Sequence, residues 1–282
     1  MANLCAGIVT YNPDLKRLTN NIEAVAKQVK TVFIVDNYSN NITEIKKLQI
    51  RYVNVVLIEN KKNYGIAKAL NQMSLQALDN GYDWILTLDQ DTVIPYDLIE
   101  KFSLHINNQE VGIICPAVEY SGSDKITKGK NETEYISACM TSASLTKLSV
   151  WKELGGFRED YFIDFVDNEY CMRLRIHNYK ILRLNTSVMN HQLGEMVHKK
   201  LLGIISINSS KHSPLRLYYM TRNNYVFIKE YKRYLPVVKE MIKLIYIIIS
   251  NLIVTDEKNK TLHFIQKGFR DAKNGILGEY VA

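Results

Sequence analysis

The chain has 282 residues, of which 46% are hydrophobic and only 5 are proline. That apolar mass is enough for a large core, and without low-complexity runs it excludes a disordered tail, a collagen-like repeat and a disulfide miniprotein. What remains is an α/β-sized chain of one domain, with or without an appended helical segment. The net charge of +7, from 36 Lys+Arg and 29 Asp+Glu, suggests nucleic acid until it is located: residues 1–198 carry 21 basic against 23 acidic side chains (−2), residues 199–282 carry 15 against 6 (+9), so the excess describes a surface of the last third and not the fold.

Met1-Ala2-Asn3 runs straight into an apolar stretch, without the basic region and cleavage site of a secretory signal. Residues 4–9, 31–35 and 53–58 are apolar runs rich in β-branched residues and bounded by polar ones, the pattern of buried parallel strands. Between them Leu18, Ile22, Val25 and Val29 recur at helical spacing, and residues 66–78 do the same after the third run. Strand, helix, strand, helix predicts a right-handed βαβ sheet. A fourth run, residues 84–88, stops at Asp89-Gln90-Asp91. Beyond it the pattern is mixed: strands over 111–118 and 135–140, a short helix over 148–154 ended by Gly155-Gly156, a helix over 168–177 and a last strand over 180–184.

From Leu215 the chain is helical in pattern up to Thr255-Asp256, and the shift in composition and charge near Ser210 divides it into a domain of residues 1–210 and a helical segment of residues 211–282. The most apolar stretch, residues 244–254, falls short of the roughly 20 residues that span a bilayer. Cys5, Cys115, Cys139 and Cys171 stand far apart, with no Cys-x-x-Cys pair and no zinc or disulfide spacing. They are expected to be reduced, mostly buried thiols of a cytoplasmic protein.

Ligands of parallel α/β sheets sit at the carboxyl ends of the strands. Those ends read Thr10-Tyr11-Asn12, Asp36-Asn37, the Asn63-Tyr64-Gly65 loop opening a helix, and Asp89-Gln90-Asp91. Such carboxylates and amides suit a polyhydroxylated ligand with a metal-bound phosphate. Neither a Gly-x-Gly-x-x-Gly turn nor a P-loop is present, which speaks against a dinucleotide cofactor. The only Asp-x-Asp of the chain is at Asp89 and Asp91. Two carboxylates at a strand tip bind a hard divalent ion that also takes diphosphate oxygens, although an isolated triplet is equally a solvated turn. Asp167 sits just before a predicted helix, where it caps the helix end, and among other carboxylates the same position suits a general base.

Taken together, Thr10-Tyr11-Asn12, Val35-Asp36-Asn37, Asn63-x-Gly65-x-Ala67-x-Ala69-x-Asn71, Asp89-x-Asp91, Gly155-Gly156-Phe157, Asp164-x-x-Asp167-x-Glu169-x-x-x-Arg173 and Asn190-His191 resemble bacterial family-2 glycosyltransferases. The segment from His212 to Asn223 resembles their rhamnosyltransferase subgroup. The resemblance implies a GT-A fold, a Rossmann-like nucleotide-binding half joined to a mixed-sheet acceptor half, followed by C-terminal helices. It implies a nucleotide-sugar site in which Asp36 bonds a pyrimidine base and Thr10, Tyr11, Asn12, Asn63, Gly65 and Gln90 line the pocket. Lys68 would face the diphosphate, Asp89 the ribose, and Asp91 with His191 a Mg²⁺ or Mn²⁺ ion. Asp167 matches the base of inverting members, although Val166 stands where many carry Glu. The acceptor-side candidates are Asp164, Glu169, Arg173, Ser142, Tyr219 and Arg222.

The implied reaction transfers L-rhamnose from dTDP-rhamnose to a lipid-linked or growing surface glycan, with a UDP-hexose or UDP-galactofuranose as alternative donors. Two other classes stay open: a sugar-phosphate nucleotidyltransferase, which lacks its basic Gly-rich loop here, and a non-catalytic sugar-nucleotide-binding protein. The basic tail, with Lys232, Arg233, Lys239 and Lys243 among Tyr and Ile residues, reads as a peripheral anchor on the anionic inner face of the plasma membrane or as a homodimer contact. No docking motif for nucleic acid accompanies it.

Overall fold

The computed structural model describes residues 3–121, 126–192, 196–201 and 205–281. They form two compact units: Met1–Phe162 with Val166–His191, and Ile163–Phe165 with Gln192–Ala282.

The first unit opens as its hydrophobic pattern predicts. Strands β1 (Leu4–Thr10), β2 (Val32–Asp36), β3 (Val55–Glu59) and β4 (Trp84–Asp89) alternate with helices α1 (Leu15–Ala26), α2 (Ile42–Arg51) and α3 (Ile66–Asp79). All three neighbouring pairs are parallel, with Thr10 beside Asp36 and Val9 beside Asp89 in register. Leu18, Ile22 and Val25 of α1 and Ala67, Leu70 and Met73 of α3 are buried against the sheet, the helical spacing that puts one apolar stripe on the core. The strand order β3-β2-β1-β4 reverses direction at β1. The crevice of such a sheet therefore opens between the carboxyl ends of β1 and β4.

After α4 (Leu98–Ser103) the sheet turns mixed. Strands β5 (Val111–Ser121), β6 (Thr133–Ile136), β7 (Ser144–Lys147) and β8 (Lys180–Gln192) extend it to the order β3-β2-β1-β4-β7-β5-β8-β6, with β7 antiparallel to β4. Helices α5 (Leu148–Glu153) and α6 (Val166–Ile176) complete this part, separated by a 3-10 turn at Glu159–Tyr161. The strand expected over 135–140 ends at Ile136, β8 runs well past the expected 184, and β7 escaped periodicity because its four residues are polar at both ends.

The second unit holds a hairpin of β9 (Met196–Leu201) and β10 (Ile205–Ser210) with helices α7 (Pro214–Glu230), α8 (Val237–Val254) and α9 (Lys258–Asn274). Among the described residues β9 and β10 pair with each other and not with the eight-stranded sheet, and the second compact unit takes them in from Gln192, ahead of the Ser210 shift in composition. Ser213 caps α7 by accepting from the Arg216 N–H at 3.2 Å, with Pro214 at the first turn. Within the helical stretch that begins at Leu215, residues 231–235 interrupt the helix, and the apolar helix expected from Pro236 to Val254 is α8.

His212 lies at the entry to α7, where its backbone N–H donates to Asn251 Oδ1 at 3.2 Å. Burial, reinforced by the Arg216 charge, pushes its imidazole down to about 4 from an ordinary 6.5. A depressed histidine contributes stability that is present above pH 6.5 and lost as pH falls towards 4, because only the unfolded chain takes up the proton in that window. The group is partly exposed, so solvent screening reduces the effect to about 1 kcal/mol. Thermal unfolding of the wild-type chain should weaken between pH 6.5 and 4, and an H212N variant should lose that part of the slope.

Candidate functional site

The crevice at the β1 and β4 ends is built by polar side chains that lock neighbouring strand ends together. Asp36, 1% exposed, accepts from Thr10 Oγ1 at 2.8 Å and from Ser39 through both its Oγ at 2.5 Å and its N–H at 2.8 Å. A buried carboxylate held by three donors is fixed in place. Asn12 takes a left-handed φ of 47°, which an Asn side chain tolerates, and bridges to the next loop through Ser39 Oγ and the Asn40 N–H. Gln90 Oε1 accepts from the Tyr11 N–H at 2.9 Å, and Asn21 Nδ2 donates to the Asp89 carbonyl at 2.7 Å. The four expected residues Thr10, Tyr11, Gln90 and Asp89 thus meet at one end of the sheet, with Asp36 and Asn12 beside them.

A third strand end joins through amides. Asn37 donates to the Gly65 carbonyl at 3.1 Å and accepts from Asn60, which exchanges two hydrogen bonds with Gln72 of α3. Asn63 Oδ1 receives the Gly65 N–H at 2.9 Å and so closes the loop that starts α3. Gly65 has φ 84°, and a Cβ there would lie 2.5 Å from the Phe162 carbonyl oxygen, the same atom that accepts the Ile66 N–H at 2.7 Å. Only glycine fits this position. Phe162 itself holds φ 64°, a strained value for a bulky residue.

Asp91 projects from the end of β4 with its carboxylate 42% exposed and Arg17 at 3.7 Å. Ser142 ties the same strand end to the second half of the sheet: its Oγ accepts from the Asp89 N–H at 3.0 Å and shares a 2.7 Å bond with Thr92. Ser142 also lines a cavity of about 300 Å³, whose walls include Cys115, Met140, Asp167 and Asn168. Asp167 stands in the first turn of α6, where acidic side chains are favoured by the helix dipole, and its Oδ1 accepts from the Asn168 N–H at 2.8 Å. The helix starts at Val166, so Asp167 lies inside its first turn and does not cap it as its position in the sequence suggests; its carboxylate accepts from both the N–H and the side-chain amide of the neighbouring Asn168. Of the expected metal pair, Asp91 has the donor chemistry a hard divalent ion takes, an exposed carboxylate at a strand tip. Among the described residues no group of three or more metal-ligating side chains assembles without a substrate. The His191 side chain lies outside the described residues.

Several expected residues are placed elsewhere. Lys68 pairs with Glu159 at 3.1 Å on a separate groove with Asn71, Trp151 and Gly156. Glu169 and Arg173 do not line the cavity. They form a two-bond ion pair at 2.7 and 2.8 Å, and Arg173 also donates to the Leu154 and Gly156 carbonyls, both at 2.6 Å. The pair holds the Gly155-Gly156 turn from below, while Asn71 holds the following residues by accepting from the Phe157 N–H and donating to its carbonyl.

In the second unit Arg222 is fully buried, lies 5.0 Å from the Tyr219 ring and donates to the Gly278 carbonyl, and Tyr219 accepts from the Tyr280 N–H. Both are packing groups. Asp164, at φ 62°, accepts from Arg216 at 3.2 Å, and its buried Oδ2 has no hydrogen-bond partner. Burial pushes its carboxyl up and Arg216 partly opposes this.

Three of the four cysteines converge although their spacing gave no sign of it. Cys139 and Cys171 sulfurs lie 4.0 Å apart, and Cys115 lines the same cavity as Cys139. The hydrogen bond to Cys115, with burial, raises the Cys139 thiol, and the bond to Cys139, with burial, raises that of Cys171, so these thiols stay protonated and unreactive.

Residues 5–182 match the family described as Glycosyl transferase family 2. The chain is 29% identical over 294 aligned positions to a dTDP-rhamnosyl transferase of Shigella flexneri, covering 98% of this chain and 96% of that one. Among solved structures it resembles Staphylococcus aureus TarS residues 1–349 in complex with UDP-GlcNAc, with a TM-score of 0.63 and 15% identity over 97% of this chain and 81% of that one. GalNAc-T7 with UDP, GalNAc and Mn²⁺ superposes with a TM-score of 0.59 and 15% identity, covering 97% and 58%. These two structural likenesses bear on fold alone.

Proposed function

The chain belongs to glycosyl transferase family 2, and from that premise we propose that it transfers L-rhamnose from dTDP-rhamnose, with inversion, to a lipid-linked or growing surface polysaccharide at the inner face of the membrane. The observation that carries the chemistry is that Asp167 and Ser142 share one cavity while Ser142 also fixes the Asp89 strand end, which supports bringing a base and a donor site together. The choice of donor rests on the end-to-end similarity to the Shigella dTDP-rhamnosyl transferase.

The nucleotide lies across the ends of β1, β2 and β4, where the locked Asp36, Thr10 and Gln90 present a rigid edge. Asp91, with His191, would hold Mg²⁺ or Mn²⁺, which when bound neutralises the diphosphate leaving group, and Asp89 would face the ribose. Asp167 takes the proton of the acceptor hydroxyl as that oxygen attacks the anomeric carbon, and the C–O bond to the diphosphate breaks on the opposite side. One displacement inverts the centre, and no enzyme nucleophile is needed. The cavity beside Asp167 orients the acceptor.

A thermal-shift panel tests the donor. With Mn²⁺ present and dTDP-rhamnose at a hundredfold excess over its Kd, the midpoint should rise by about 5 °C, since such binding adds about 2.7 kcal/mol. UDP-hexoses should shift it less. A larger shift with a UDP-hexose would overturn the rhamnosyl assignment and leave the transferase reading in place.

A further inference from the structure

The second unit leaves an apolar helix face uncovered. On α8, Val238, Ile242, Ile245, Tyr246 and Ile249 are 75%, 61%, 48%, 59% and 51% exposed. At 3.6 residues per turn these five fall within an arc of about 100° and a length of about 17 Å. Leu244, Asn251 and Val254 of the same helix are buried. One exposed isoleucine needs no explanation, whereas a continuous stripe of five large side chains marks a contact surface.

The charge around the stripe is predominantly positive, although Lys243 pairs with Glu240 at 2.8 Å. Lys232, Arg233, Lys239 and Lys243 are exposed, and Glu240 is the sole acidic residue between 231 and 254. Lys239 and Lys243 follow the stripe along its edge, and Tyr234 and Tyr246 add rings with a polar tip, the kind that settle at a membrane interface. Among the described residues no helix is long and apolar enough to cross a membrane. An amphipathic helix of this composition lies in the interface plane instead.

We propose that α8 is an in-plane docking helix for an anionic bilayer surface, its stripe set into the acyl boundary and its lysines against lipid phosphates. This deepens the reading above by naming the surface at which the reaction takes place, and rests on that reading only for the lipid-linked acceptor. The spacing 238, 242, 245, 249 also suits a coiled-coil seam. Pairing two antiparallel copies along it, however, sets the lysine-bearing edge of one against that of the other, while an anionic surface neutralises the lysines.

The test is co-sedimentation of the full chain with vesicles of phosphatidylcholine, alone or mixed with phosphatidylglycerol. Binding to the anionic vesicles should exceed binding to the neutral ones by at least about tenfold and fall as salt is raised. K239E with K243E, both on exposed positions that do not threaten folding, should reduce it by about tenfold or more, and I242E with I249E should abolish it with an unchanged circular dichroism spectrum. Equal binding to both vesicle types, or none, overturns the proposal. So does light scattering that shows a dimer dispersed by I242E with I249E in a chain that ignores vesicles. Metal-dependent donor hydrolysis by the chain without vesicles reports separately on the transferase reading.

Discussion

Replacing Asp167 by asparagine should lower transfer by about 10²–10⁴-fold, the usual contribution of a positioned general base, while the Kd for dTDP-rhamnose measured by calorimetry changes little. Asparagine keeps an oxygen at the position that accepts from the Asn168 N–H at 2.8 Å, so the first turn of α6 stays formed and loss of activity reports on the proton transfer. The natural control is D164N. Asp164 is held in a left-handed conformation that asparagine also adopts, and it is paired with Arg216. Wild-type rates in D167N together with a large loss in D164N would move the base to Asp164.

The second large effect is on folding. Removing the Glu169 carboxylate in E169A leaves the Arg173 guanidinium in a site where Glu169 is 1% exposed. Breaking one side of such a pair costs about 3–5 kcal/mol, and the two carbonyls that Arg173 also reaches keep the loss near the lower bound. The melting temperature should fall by about 6–10 °C, and E169Q, which retains the shape and one acceptor, should fall less. An E169A chain that melts like wild type but transfers poorly would show that the pair acts on substrate and not on the Gly155-Gly156 turn.

Much of the nucleotide half was legible because its elements are local. The runs that became β1 to β4 are bounded by turn residues, and a parallel sheet places whatever follows each run at one edge. Thr10, Asp36 and Asp89 could therefore be named before their register was known. What escaped is what depends on distant partners. Ser39 supplies two of the three donors to Asp36, yet nothing around it in the chain marks it. Glu169 and Arg173 share the (i, i+4) spacing of a surface helix pair, and only the packing of the Gly155-Gly156 turn shows that Glu169 is buried, Arg173 half-buried and the pair structural. The expected acceptor-side residues Tyr219 and Arg222 belong to a motif whose spacing is equally consistent with a site or a core; burial decides for the core.

Composition and periodicity were sufficient for the α/β class and for the separation of a near-neutral first part from a basic tail, because each follows from contacts within some fifteen residues or from totals that folding does not change; the GT-A architecture was implied by the resemblance of the ordered motifs to family-2 glycosyltransferases. Tertiary packing was needed to set β7 between β4 and β5, to end the first compact unit at His191, to gather Cys115, Cys139 and Cys171, and to turn the apolar run after Pro236 into a helix with one buried and one exposed face. Those outcomes join residues far apart in the chain, and the loop-closure entropy of such contacts is overcome only by the core as a whole.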